Sequence, residues 1–120
     1  MSYKININDF EGPLDLLLFF IQRDKLNIYD IPISKITNDF LKHLNEIKDK
    51  NIEIGAEFIY MASLLMKIKS KMLLPQDSID DEEIIDPRQD LVLKLIEYKK
   101  FKQISGRISK MGNNYFEKHK

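Results

Sequence analysis

The sequence contains no cysteine, which excludes a disulfide framework and any thiolate-ligated metal site and fits a reducing compartment. It has only four glycines. Gly12, Gly55, Gly106 and Gly112 do not cluster, so no glycine-rich loop exists to cradle a phosphate. The longest unbroken apolar run, Leu16 to Ile21, is too short to cross a bilayer. Residues Met1 to Asp9 carry neither an apolar signal core nor a small-residue cleavage site. Formal net charge is zero, so the whole-chain balance offers no argument for a nucleic-acid or membrane surface. The expectation is a cytosolic protein with no cofactor, no membrane contact and no small-molecule substrate.

Catalytic chemistry is equally hard to place. The two histidines, His43 and His119, are far apart in sequence. His43 lies one helical turn from Asp39, a weak pair rather than a metal-ligand set. The acids Asp80 to Glu83 lack the central glycine and final glutamate of a calcium loop. No catalytic, cofactor-binding or metal-binding residue is assigned.

What the chain does have is helical periodicity. Phe10-Glu11-Gly12-Pro13-Leu14-Asp15-Leu16-Leu17-Leu18 opens a first helix. Proline at the first helical position gives up an amide that would lack a helical partner anyway. From Leu14 to Ile21 every residue except Asp15 is apolar, and a helix apolar nearly all round must be covered on more than one side. A second helix over about 32–47 places Ile33, Ile36, Phe40, Leu44 and Ile47 on one face, widened by Leu41. A third, over about 53–74, stops before Pro75. Its first stripe, Ile54, Phe58, Met61, Leu65, Ile68 and Met72, has the alternating four-three spacing of helix-on-helix packing. A second stripe, Ile59, Ala62, Met66 and Leu73, lies beside it, with Lys69 inside the arc. Leu26, Ile28 and Ile31 are expected to tuck the connector between the first two helices inward. Tyr3, Ile5 and Ile7 alternate with polar residues, as in a short extended arm.

Charge divides the chain further. Residues 75–86 hold six acids and no base, whereas residues 87–120 hold nine bases and three acids, marking a boundary near Pro75. Asp86-Pro87-Arg88-Gln89 then gives a capped helix start. The fourth helix carries Leu91, Leu95, Tyr98, Phe101, Ile104, Ile108 and Met111 on one face. It is expected to run about 25 residues, or about 37 Å, and to end at Gly112. Lying beyond a linker, its apolar side is expected to find no home in its own chain and to fill a partner groove. The lysines and arginine on its polar side read as a solvated face. The fold class is therefore all-α: a helical domain over 1–75 with three main helices and an extended N-terminal arm, an acidic linker over 76–86, and a long amphipathic helical segment within 87–120.

Taken in order, four blocks resemble one family. They are Phe10 to Leu18, Ile28-Tyr29-Asp30-Ile31-Pro32-Ile33, Ala56-Glu57-Phe58 with Met61-Ala62, and Ile68-Lys69-Ser70-Lys71-Met72-Leu73-Leu74-Pro75. They are similar to the segregation and condensation protein A family (ScpA), the bacterial kleisins of SMC condensin complexes. Leu95-Ile96-Glu97-Tyr98-Lys99-Lys100-Phe101 resembles the middle segment of that family more loosely. The resemblance implies a non-enzymatic adaptor for chromosome condensation and segregation, associated with the nucleoid. Its N-terminal domain would pack on the coiled-coil neck of an SMC ATPase, and its middle segment would thread through a dimer of segregation and condensation protein B (ScpB). The winged-helix domain that closes the family's ring has no counterpart in these 120 residues, so the chain looks like an N-terminal part. The expected neck contacts are Ile59, Ala62, Met66, Lys69 and Leu73. The expected ScpB contacts are Leu91, Leu95, Tyr98, Phe101, Ile104 and Ile108. No sequence-specific nucleic-acid binding is expected. The competing reading is a small helical DNA-binding regulator using the third or fourth helix.

Overall fold

Pro13 is the first residue of the first helix, where its fixed backbone angle suits the turn and its missing amide leaves nothing unpaired. The computed structural model describes residues 9–50, 52–75 and 85–118, and side chains of the last helix through residue 106. Among them stand four helices and no strand: α1 (Pro13–Arg23), α2 (Ile33–Asp49), α3 (Ala56–Leu73) and α4 (Gln89–Lys118). The expected extended arm and linker residues 76–84 lie outside the described residues. Among the described residues no helix is long and apolar enough to cross a membrane.

Gly12 precedes α1 in an extended conformation open to any residue, with nothing near the position of a β-carbon. Sterics at that position therefore do not require glycine. The other end of α1 closes with a reverse turn. The amide of Leu26 donates to the Ile21 carbonyl at 2.8 Å and that of Lys25 to the Gln22 carbonyl at 3.3 Å. Lys25 sits in the left-handed region, φ 53°, the conformation this helix-ending motif needs at that position. The turn swings Ile28 and Ile31 into the core, as their spacing predicts.

α2 buries Ile33, Ile36, Phe40, Leu44 and Ile47, the stripe expected of it. α3 buries Phe58, Met61, Leu65 and Ile68 from its first stripe. Phe40 and Phe58 stack across the α2–α3 contact with ring centroids 6.3 Å apart. α3 begins three residues later than its sequence suggests, because Ile52 to Gly55 leave α2 as irregular chain. α4 continues past Gly112 to Lys118. A glycine inside a helix costs only about 1 kcal/mol, which does not by itself end one.

The apolar girth of α1 is the organising feature. Leu16, Leu17, Leu18, Phe20 and Ile21 are all buried. α2 and α3 cover two sides, and α4 covers a third. Here the expectation of a homeless fourth helix is corrected. Leu91 and Leu95 are as buried as any residue of the core, at 1 % and 0 % exposure. A linker in sequence does not prevent a helix from returning, and α1 had an uncovered side to return to. Burial of two leucines is worth about 1.5–3 kcal/mol each.

His43 packs inside this core with its ring edge-on to Phe10 and Phe20, both centroids 6.3 Å away. Its Nε2 is buried without a hydrogen-bond partner. Burial holds its pKa below the ordinary 6.5, opposed by Glu46 and reinforced by Lys50. Asp39, its sequence neighbour, binds Lys35 at 3.0 Å instead.

Two outcomes are expected. Leu95→Ala lowers the unfolding free energy by about 2–5 kcal/mol, whereas exposed Leu93→Ala changes it by about 0.5 kcal/mol or less. Equal urea midpoints for the two variants would mean that α4 does not dock. For His43 the sign follows from linkage: with the folded pKa depressed, the unfolded chain takes up the proton first. Stability is complete above pH 6.5 and declines as pH falls below it. His43→Leu removes this part of the pH dependence, read as the difference between urea midpoints measured above and below that pH.

Candidate partner-docking surfaces

α3 is a two-sided helix. Its inner stripe faces α1 and α2, and its outer side keeps a second apolar row. Ile59, Met66 and Leu73 are seven residues apart and 55 %, 47 % and 67 % exposed. Ser63 and Ser70, also exposed, fall between them. The sequence Ile59, Ser63, Met66, Ser70, Leu73 thus repeats the four-three spacing of a coiled-coil seam on the solvent side. Tyr60 and Leu74 add exposed apolar surface nearby.

Two residues expected in this row lie elsewhere. Ala62 is buried, because its direction on the helix falls at the edge of the inward arc. Lys69 is half-buried at the α2 side, where its ammonium donates to the Asn38 side-chain oxygen at 3.2 Å. It ties α3 to α2 and meets the requirement that a charge in this arc keep a polar partner.

α4 is also two-sided. Arg88, Leu91, Leu95, Tyr98 and Lys102 follow one another at spacings of three, four, three and four, forming the inward seam. Asp86 accepts the Arg88 amide at 2.9 Å, capping the helix start. The Arg88 guanidinium donates to Asp86 and Asp30 carboxylates, each at 2.8 Å, and to the Ile31 carbonyl at 2.7 Å. The Asp86 bond and the Asp30 bond raise its already high pKa further. At the other end, the Tyr98 hydroxyl donates to the Glu11 carboxylate at 2.9 Å. Burial first, and then that bond, push the Tyr98 pKa up. Lys102 pairs with Asp15, the one polar residue in the apolar run of α1. The Asp15 carboxylate is buried and also accepts the Glu11 amide at 3.1 Å, steadying the first turn of α1.

Of the residues expected to meet ScpB, Leu91 and Leu95 therefore have their side chains in this chain's own core, and Tyr98 is half-buried against Glu11. Phe101 and Ile104 are exposed, 60 % and 56 %, while the Ile108 side chain lies outside the described residues. Leu93, which sequence reading passed over because it falls off the main stripe, shares the exposed side with Ile104. Glu11, Asp15, Arg88 and Lys102 were likewise missed. Asp15 alone carried a signal, as a lone acid in an apolar run.

Between the start of α1, α3 and α4 runs an open furrow of about 500 Å³. Leu14, Met61 and Leu64 line it, with Glu57, Tyr60 and Lys94 also on its walls. Among the described residues no group of three His, Cys, Asp or Glu side chains is placed to hold a metal ion.

The described residues thus form a small helical bundle with two exposed apolar rows on different helices. The chain belongs to the segregation and condensation protein A family, since residues 20–119 match the family described as segregation and condensation protein ScpA. It is 52 % identical over 104 residues to segregation and condensation protein A of Clostridium acetobutylicum, covering 85 % of this chain and 42 % of that protein. To the protein of the same name from Oceanobacillus iheyensis it is 42 % identical over 111 residues, 89 % of this chain and 45 % of the relative. The Bacillus cytotoxicus protein gives 42 % over 113 residues, 90 % and 46 %. The chain spans less than half the length of these relatives.

Proposed function

We propose that the chain is a non-enzymatic kleisin adaptor in chromosome segregation and condensation, joining the coiled-coil neck of an SMC ATPase to a ScpB dimer. It acts in the cytoplasm and reaches the nucleoid through the SMC complex. The observation that carries this reading is the outer row of α3. Ile59, Met66 and Leu73 repeat every seven residues on the exposed side of a helix whose inner seam is already occupied. A row with that period suits a partner helix lying nearly parallel, as in a coiled coil. It therefore supports a coiled-coil neck as the partner better than a flat protein surface. Ala62 and Lys69 act from behind, holding α3 against the bundle.

The exposed side of α4 is assigned to the ScpB dimer, with Phe101 as the anchor, since aromatic side chains often dominate such contacts. Ile104 and Leu93 flank it. Ile108 continues the same helix further on. Leu91 and Leu95 serve the module itself, and Tyr98 holds the base of the anchor, its ring centroid 6.4 Å from that of Phe101.

Met66→Glu is expected to weaken binding to an SMC neck fragment by about tenfold or more, an effect of about 1.4 kcal/mol, with the thermal midpoint little changed because the site is exposed. Calorimetric titration reads the affinity, and wild-type binding by the variant rejects the α3 row. Phe101→Ala combined with Ile104→Ala is expected to weaken binding to the ScpB dimer while neck binding persists. Undiminished ScpB affinity rejects α4 as that site. Tight, steeply salt-dependent binding of duplex DNA by the chain alone would favour a DNA-binding regulator instead.

A further inference from the structure

The two exposed rows sit on helices joined by an acidic linker, and a linker by itself would let α4 swing. The inward seam of α4 argues otherwise. It meets the rest of the module at three successive levels along the helix. At the first, Arg88 grips the connector between α1 and α2 through Asp30 and the Ile31 carbonyl. At the second, Leu91 and Leu95 enter the core. At the third, Tyr98 and Lys102 close on Glu11 and Asp15. One attachment would leave a swivel. Three on one side of a helix, over about 21 Å, leave no rotation about the helix axis and no hinge between the levels.

The third level is also the one that cannot be released cheaply. Lys102 is the cation paired with the Asp15 carboxylate, whose residue is only 4 % exposed. Withdrawing the ammonium leaves a buried charge without its counter-ion, a strongly unfavourable state. Phe101 lies beside Lys102 and Ile104 two residues beyond, so the clasp fixes the direction in which both point.

We propose that Asp15 and Lys102 are positioning residues. They make α4 through residue 104 a rigid arm of the bundle, so that the exposed row of α3 and the Phe101–Ile104 surface are offered at one fixed angle and separation. This deepens the adaptor reading and rests on it only where it assigns the two rows to two partners. A partner that takes α4 does so from the outer side, with Leu91 and Leu95 remaining in the core.

Because the chain has no native cysteine, Asn45→Cys on α2 and Gln103→Cys on α4 give a unique pair for spin labels, away from both rows. Pulsed electron-spin measurements on the free chain should return one narrow distance distribution. Lys102→Glu, which sets two carboxylates together, should abolish the narrow component, and residues 89–102 should lose amide-exchange protection while α2 keeps its own. Lys102→Arg should restore the narrow component, which separates a charge clasp from simple packing. If Lys102→Glu also melts α2, Lys102→Met with Tyr98→Phe replaces it, with loss of the narrow component again expected. A broad distribution in the parent pair overturns the proposal. So does a narrow one that survives loss of the clasp. With an SMC neck fragment and the ScpB dimer both bound, the distance should be unchanged, and a shifted or broadened distance overturns the rigid arm. Failure to form that complex would reject the partner assignment while the free-chain distances still judge the clasp.

Discussion

A helix of eleven residues with apolar groups on nearly every side has no stable place at a surface. That constraint, set by Leu16 to Ile21 in α1, dictates the arrangement of everything else described. α2 and α3 form a pair whose inner stripes fit each other and two sides of α1. They leave α1 open on its remaining side. α4 comes back across the linker and closes that side with two leucines. Removal of α4 would uncover part of the core rather than detach an appendage.

Against this background the buried carboxylate of Asp15 is informative. A charge in an apolar helix is unfavourable unless paired and hydrogen-bonded. Here it receives the Glu11 amide at the start of its own helix and the Lys102 ammonium from the far end of the contact with α4. An apolar residue at position 15 would pack with fewer requirements. A carboxylate accepts only a docking arrangement that supplies a cation, so it selects one seating of α4 among those that two leucines would tolerate. At the other end Arg88 reaches Asp30 and the Ile31 carbonyl in the connector before α2. Apolar burial draws the helix in, and the two ionic ends set its register.

Much of the bundle was readable from periodicity alone. The α2 stripe and the inner α3 stripe repeat at helical spacing over four or more turns, and both are buried from Phe58 to Ile68 and from Ile33 to Ile47. The family, too, was legible, because its blocks are contiguous runs. The direction of α4 was not. Leu91, Leu95, Phe101 and Ile104 read as one apolar face when followed in steps of three and four residues, yet the first two point into the core and the last two to solvent. The steps from Leu95 to Tyr98, Phe101 and Ile104 are each three residues and each fall about 60° short of a full turn, so the row winds round the helix until Ile104 stands about 180° from Leu95. Lys102 and Asp15 are 87 residues apart, beyond any local pattern. Ala62 shows the same limit on α3: one step around the helix from Met66, it lies on the covered side of an edge that the neighbouring helix defines.

The alternation of serine with large apolar residues along the outside of α3 imposes a size rule. At Ser63 and Ser70 the helix surface is recessed, whereas at Ile59, Met66 and Leu73 it projects. A helix laid along this row fits closely only if its own side chains run in the opposite order, bulky where α3 has a hydroxymethyl group and slender where α3 has a long chain. Sliding such a helix by half a repeat would set bulk against bulk and leave the recesses empty. The row thus behaves as a ruler: it discriminates among longitudinal offsets of whatever lies on it, in steps of about 5 Å, roughly one helical turn.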